Sequence, residues 1–281
     1  MKYVFITGTS SGIGFESVQT LVDRGYHVFA TLRKESDIQR LNYHESENVT
    51  PLLMDVRNKQ SVSFAVRKVS EITGGQLDVL INNAAVATGE PLEIVDIDNL
   101  RDEFEVNVFG LVEVIQQFLP LLKKAKGRII NISSNNGYIS MPYMGGYSAT
   151  KFALEAISDA LRMELDKWEI PVVVINPDKV ATSMWDTSID NTLKQFSSID
   201  ENKRKDYQKE FSSFIEAIKR ISKKSLAPKV VVEDIVKSIE SNHPKMRYLP
   251  GFENKVTYLL FRVLPKKTLN NLIKKEFKLT N

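Results

Sequence analysis

The segment Tyr3-Val4-Phe5-Ile6-Thr7-Gly8-Thr9-Ser10-Ser11-Gly12-Ile13-Gly14 decides the fold. An apolar run of strand type leads directly into a glycine turn, and a helical periodicity starts at Ile13. Strand, tight turn and helix in that order open a βαβ unit. The same turn suits a dinucleotide pyrophosphate. Glycines at Gly8, Gly12 and Gly14 let the backbone approach phosphates, and a helix N-terminus offers free N–H groups and a favourable dipole. Ser10 and Ser11 add hydroxyl donors. Any tight strand-to-helix turn favours glycine; the position after the first strand is what points to a nucleotide.

Outward from this turn, short apolar runs alternate with longer helical periodicities through two-thirds of the chain, the pattern of a doubly wound parallel sheet of Rossmann type. Strands are expected at Tyr3–Thr7, His27–Leu32, Thr50–Met54, Leu77–Ile81, Arg128–Ile132 and Pro171–Ile175, with a seventh near Met246–Leu249. Helices are expected near Ile13–Arg24, Lys59–Ile72, Leu100–Leu122 and Tyr147–Lys167. Gly25 and Gly127 fall where helices hand over to strands and are expected as left-handed caps. One α/β domain over 1–281 follows, with no repeats and no linker. Between about 183 and 228 strand signals give way to charges, and Tyr207, Phe211, Phe214, Ile215 and Ile218 recur at helical spacing. This predicts a helical lid over the C-terminal edge of the sheet, where open α/β sheets bind ligands. A helical extension is expected over about 252–281.

The chain has 281 residues, 42% hydrophobic and 26% charged, with a net charge of +3. Lysine and arginine thicken after Lys203, which is read as solvated helix faces, with an acidic partner or an anionic membrane surface as the alternative; no nucleic-acid partner is expected. Without cysteine, disulfides, thiolate metal sites and a cysteine nucleophile are excluded. His27, His44 and His243 show no ligand spacing, so no metal is expected. The first apolar run is too short for a signal peptide, and no stretch reads as long enough to span a bilayer. A soluble, cytoplasmic protein is the expectation. The basic amphipathic stretch Val256–Phe277 is read as a docked C-terminal helix, with peripheral membrane contact as its alternative.

An NAD site usually places a carboxylate at the end of the second strand. Here Ala30-Thr31-Leu32-Arg33-Lys34 has none, and Arg33 suits a 2′-phosphate, so NADP(H) is expected over NAD(H). Asp55 is a candidate acceptor for the adenine amino group, or else the N-cap of the following helix. Further chemistry sits where strands end: Asn82-Asn83-Ala84-Ala85, Ser133-Ser134, and Tyr147-Ser148-Ala149-Thr150-Lys151 at the start of a helix. Residues i and i+4 share a helix face, so Tyr147 and Lys151 project together. The ammonium is expected to lower the phenol from its usual value near ~10, making it an acid/base at neutral pH. Ser134 is placed to polarise a substrate oxygen.

Together these motifs resemble the short-chain dehydrogenase/reductase family from Lys2 to about Thr182. Thr7 to Gly14 match its glycine motif, Asn82 to Ala85 nearly match its Asn-Asn-Ala-Gly motif, and Asn107, Ser134, Tyr147 and Lys151 match its active-site tetrad. The resemblance implies a hydride transfer between nicotinamide and a carbonyl or alcohol. It makes Tyr147 the general acid/base, lets Lys151 also bind the nicotinamide ribose, and has Asn107 interrupt a helix and hold a relay water. Thr182 would contact the carboxamide. The implied cofactor set is Gly8, Ser10, Ser11, Gly12, Ile13, Gly14, Arg33, Asp55, Val56, Asn83, Ala84, Tyr147, Lys151, Pro177, Val180 and Thr182. A homo-oligomer is implied through the helices of Asn107 and Tyr147. Segments such as Lys151-Phe152-Ala153-Leu154-Glu155 are similar to the hydroxysteroid and retinol dehydrogenase branch, which implies a bulky apolar substrate. The alternatives are a ketoacyl-thioester reductase docking an acidic carrier protein, and a non-catalytic NADP(H) sensor. Two residues depart from the pattern: Ala85 and Asp178 each stand where the family has glycine.

Overall fold

The computed structural model describes residues 1–41, 46–223, 225–277 and 279, and of residues 183–186 the backbone alone. His44, and Lys224 within the expected lid, lie outside them. Seven parallel strands form one sheet: β1 (Tyr3–Ile6), β2 (His27–Leu32), β3 (Val49–Leu53), β4 (Val79–Asn82), β5 (Arg128–Ile132), β6 (Val172–Ile175) and β7 (Arg247–Tyr248). Their order is β3-β2-β1-β4-β5-β6-β7, and each end lies within two residues of its expected place. The order reverses between β1 and β4, which makes their C-terminal ends the topological switch point.

Period-two alternation sorts the strand residues into two cores. Val4, Ile6, Val28, Ala30 and Leu32 face one side, with Val231, Val232 and Ile235 of α9 (Pro228–Glu240) and Leu21 of α1 (Gly12–Asp23). Phe5, Phe29, Leu80 and Ile129 face the other, with Val62 of α2 (Lys59–Thr73), Phe118 of α4 (Leu111–Ala125) and Leu154 of α5 (Gly145–Glu164). The Phe5 and Phe118 rings lie 4.1 Å apart. Every residue of β2 is buried, as the run of apolar residues requires of a strand covered on both faces.

The helix expected over Leu100–Leu122 is longer and interrupted. α3 (Ile97–Phe104) passes through a π-helical segment, Glu105–Gly110, before α4 begins. The whole run Ile97–Ala125 is long and apolar enough to cross a bilayer by composition, contrary to the expectation that no stretch is. Its apolar residues Val114, Ile115, Phe118 and Leu122 are spent in the core. Of the two expected caps, Gly25 is left-handed with φ +80°. Gly127 is not: the left-handed residue is Lys126 at φ 48°. Gly127 is required for another reason, since a Cβ there would run into the Leu77 and Asp78 carbonyl oxygens.

After β6 the chain forms α6 (Ser183–Ser198), α7 (Glu201–Lys205) and α8 (Gln208–Ser222). The insertion is stitched at its neck by a bridge between Val180 and Leu226, with Ala181 N–H donating to Leu226 O at 2.8 Å and Leu226 N–H to Lys179 O at 2.8 Å. As the spacing predicts, α8 buries Phe211, Phe214, Ile215 and Ile218 on one face. Phe211 stacks on Phe196 at 3.7 Å, and Phe214 lies near Tyr143 and Phe277. The C-terminal segment folds as α10 (Phe252–Val263) and α11 (Lys266–Glu276). α11 docks through Leu269 and α10 through Phe261, which lines the cavity, but Phe252, Val256, Leu259, Leu260 and Val263 of α10 face outward.

Candidate active site

The glycine turn is built as a phosphate cradle requires. Gly8 and Gly12 are left-handed, at φ +71° and +62°. A Cβ at Gly14 would press into the Gly8 carbonyl, and one at Gly12 would come within 2.9 Å of Thr182 Cγ2. α1 starts without a side-chain cap from Ser11, so its first-turn N–H groups remain available to an anion. The turn is held by Asn83, whose Nδ2 donates to the carbonyls of Thr7 (3.0 Å) and Gly8 (2.7 Å). Thr7 Oγ1 in return accepts from the amides of Asn83 and Ala84, both at 2.9 Å. These residues therefore fit a dinucleotide.

Beside the turn, Arg33 is exposed at the end of β2, and Arg40 reaches the same wall of the cavity. A carboxylate is also there: Asp37, 3.6 Å from Arg40, comes from the short helix after β2 and not from the strand end. Asp55 lines the cavity but is held by Arg57, which donates to it from Nη2 at 2.8 Å and from its own backbone at 2.9 Å. This pairing holds the Asp55 carboxyl below its ordinary value. The reading of Asp55 as an N-cap is corrected: Asn58 caps α2, accepting from Ser61 N–H. Val56, Pro177, Val180 and Thr182 line the same cavity, with Thr182 against Gly12.

The four tetrad residues converge on the switch-point side of β4 and β5. Tyr147 and Lys151 project from the first turns of α5, both buried. Lys151 Nζ donates to the last carbonyl of β5, Ile132 O, at 2.9 Å, and lies 5.7 Å from the Tyr147 ring centre. Asn107 sits in the π segment, as expected of a helix interruption. Its Nδ2 donates to Val86 O (2.8 Å) and Thr150 Oγ1 (3.0 Å), and its Oδ1 accepts from Val86 N–H at 2.9 Å. Ser134 follows β5 and hydrogen-bonds Tyr147.

The acidity of the phenol runs opposite to the sequence expectation. Burial pushes Tyr147 up to about 12, with the Ser134 hydrogen bond opposing and the Glu103 carboxylate adding to the rise. Burial pulls Lys151 down to about 8, against the pull of Glu155. Desolvation penalises each charged form, and for this buried pair it outweighs the mutual help inferred from i,i+4 spacing. Tyr147 is thus a proton donor at neutral pH. Glu103, pushed up to about 7 by burial, accepts from Thr88 N–H and Oγ1 at 2.5 and 2.7 Å.

One cavity of about 1440 Å³ runs from the glycine turn past Tyr147 to an apolar compartment walled by Ile139, Met141, Ile189, Phe214, Phe261 and Phe277. A family model described as short chain dehydrogenase matches residues 2–192. The chain is a short-chain dehydrogenase/reductase.

An NADPH-dependent 3-dehydrocapnine reductase of Ornithobacterium rhinotracheale is 33% identical to this reductase-family chain over 99% of its length and 98% of the relative's. Estradiol 17-beta-dehydrogenase 2 of Mus musculus is 36% identical over 98% of this chain and 75% of its own. Among solved structures, a short-chain dehydrogenase from Streptomyces avermitilis gives a TM-score of 0.77 at 22% identity, covering 99% of this chain and 97% of that one. A short-chain dehydrogenase from Burkholderia cenocepacia in complex with NADP gives 0.74 at 22% identity, over 97% of this chain and 99% of its own. The chain is accordingly an oxidoreductase of CH–OH and carbonyl groups with a nicotinamide-dinucleotide fold.

Sequence reasoning missed the polar network behind this short-chain dehydrogenase/reductase site. Glu155, one turn beyond Lys151, accepts from Ser133 Oγ, Asn176 Nδ2 and Arg247 Nη2, each at 2.6 Å. The sequence signal was slight: Glu155 one turn after Lys151 and Arg247 in the expected seventh strand. Asp178 turns toward Asn135, whose Nδ2 donates to it at 2.5 Å. Ser134 Oγ then donates to Asn135 Oδ1 at 3.1 Å. Asp178 therefore fixes the Asn135 amide, and through it the Ser134 hydroxyl rotor. Neither Asp178 nor Ala85 is left-handed, so both replace glycine without backbone strain. Replacing Asp178 by Ala should free Asn135 and loosen Ser134. Steady-state kinetics should show kcat falling about tenfold with melting temperature little changed.

Proposed function

We propose that this chain is an NADP(H)-preferring oxidoreductase that interconverts a bulky apolar ketone or aldehyde with its alcohol, in the cytoplasm. The continuous cavity carries this reading, since it joins the glycine turn to a compartment whose apolar walls suit an apolar substrate. The helices α6–α8 would serve as its lid, with Ile189, Phe214 and Ile218 on the cavity side. The names of two relatives, an NADPH-dependent reductase and an estradiol dehydrogenase, support both halves of the reading. Arg33 and Arg40 supply cations where a 2′-phosphate would lie, with Asp37 partly neutralising Arg40. A carrier-protein reductase gains nothing from the apolar walls, and a non-catalytic sensor gains nothing from the complete tetrad. Phe109 and Phe152, 58% and 45% exposed on the π segment and α5, support a homo-oligomer through those helices.

A bound nicotinamide supplies the hydride. The residues do the rest. Ser134 positions the substrate oxygen, Tyr147 gives that oxygen its proton during reduction, and Lys151 restores the proton balance from beside β5. Asn107 braces this wall by holding both the amide and the carbonyl of Val86. The apolar compartment excludes water and so strengthens each of these contacts.

Substitution of Tyr147 by Phe tests the proposal directly: turnover of apolar ketones should be lost while NADPH affinity, by fluorescence titration, stays within about twofold. Substantial residual turnover would remove Tyr147 from its role. Initial rates should also separate by direction. Oxidation requires an ionised phenol and should keep climbing with pH towards about 12, where burial places Tyr147. Reduction draws on the protonated phenol and should be fastest near neutrality, falling as Lys151 loses its proton above about 8. For the cofactor, Arg33→Ser should weaken NADPH about tenfold or more while leaving NADH nearly unchanged, one lost charge-assisted pair being worth about 1.5–3 kcal/mol.

A further inference from the structure

α10 wears its apolar face on the outside. Phe252, Val256, Leu259, Leu260 and Val263 recur at helical spacing and are 80, 43, 63, 48 and 72% exposed. At 3.6 residues per turn they fall within an arc of about 100°. A helix of a soluble domain ordinarily turns such a stripe inward. Here the opposite side is the docked one. Asn254 is buried, donating from Nδ2 to Asn176 O at 2.6 Å and accepting from Tyr138 at 2.9 Å, and Thr257 and Phe261 face the cavity. The outward stripe is therefore fixed by contacts on the far side of the same helix.

Its surroundings are cationic. Lys255 and Arg262 lie along one edge of the stripe, and α11 adds Lys266, Lys267, Lys274 and Lys275, all exposed. Against these six cations the two helices carry only Glu253 and Glu276, and Glu276 is paired with Arg220 at 3.0 Å. Apolar residues in one band with lysine and arginine beside them match the two layers of an anionic membrane surface. A second copy of the chain is a poorer occupant, because a self-complementary contact would set two basic helix pairs against each other.

We propose that the consecutive helices α10 and α11 seat this enzyme on an anionic phospholipid bilayer, with the stripe at the headgroup–acyl boundary and the cations among the phosphates. Exposure and charge alone define this seat, whatever substrate the cavity takes. The two meet at Phe261 and Phe277, whose side chains line the cavity from the inner side of the same helices, so the cavity wall would lie next to lipid.

Co-sedimentation of the full chain with vesicles tests this. The protein should pellet with vesicles of equal parts phosphatidylglycerol and phosphatidylcholine, and far less with phosphatidylcholine alone. Leu259→Glu with Val263→Glu should weaken the anionic-vesicle binding at least about tenfold, the burial of two such side chains being at stake. Turnover of a water-soluble ketone and the melting temperature should not change, since neither side chain lines the cavity. Lys266→Glu with Lys267→Glu should weaken binding to the anionic vesicles specifically. Wild-type protein left in the supernatant, or undiminished binding by the Leu259/Val263 variant, overturns the proposal. So does a dimer that becomes monomeric in sedimentation velocity when the stripe is charged, which would make the stripe a subunit interface.

Discussion

The side-chain amide of Asn83 holds the carbonyls of Thr7 and Gly8, two backbone acceptors that β1 leaves behind as it ends. Buried carbonyls without partners are costly, so the switch point needs such a group. In return Thr7 Oγ1 takes the amides of Asn83 and Ala84. This reciprocal lock joins the ends of β1 and β4, the strands between which the sheet reverses. It sets the glycine turn at one fixed distance from the wall that carries Asn107 and Tyr147. The absence of a Cβ at Gly8 and Gly14 lets the lock close, because Ala84 and the Gly8 carbonyl occupy that space.

A second lock, centred on Glu155, does for the Tyr147–Lys151 wall what Asn83 does for the glycine turn. A buried carboxylate is tolerable only when fully bonded, and this one meets Ser133 and Asn176, just past the ends of β5 and β6, and Arg247 of β7. It pins α5 to three strands at once and so fixes the height of Lys151 above the Ile132 carbonyl. Burial at this depth is also what raises the Tyr147 phenol and lowers the Lys151 amine. The rigidity of the site and its proton affinities have one cause.

The sheet was legible because its signal is local. Continuous Val, Ile and Leu runs such as Val172–Ile175 have few alternatives to a buried strand. The glycine turn and the tetrad were legible for the same reason, since each is a short motif at a strand end. Gly127 shows where local reading stops. Its glycine is demanded by the Leu77 and Asp78 carbonyls, which are distant in sequence, and not by the cap conformation that its neighbours suggest. The expected interruption at Asn107 came from resemblance; no property of Glu105–Gly110 taken alone announces a π turn.

By itself the sequence determined a doubly wound parallel sheet, a dinucleotide turn after the first strand and a Tyr147–Lys151 pair on one helix face. These follow from periodicity and spacing, which act over a few residues. Tertiary structure alone decided which way that pair is poised, because desolvation depends on what surrounds a group and not on its neighbours in the chain. It also decided that Asp178 steers Asn135 and Ser134, and that a helix read as docked turns its apolar side outward. Each of these is a contact between segments far apart in sequence, and only the closed fold brings them within hydrogen-bonding or packing distance.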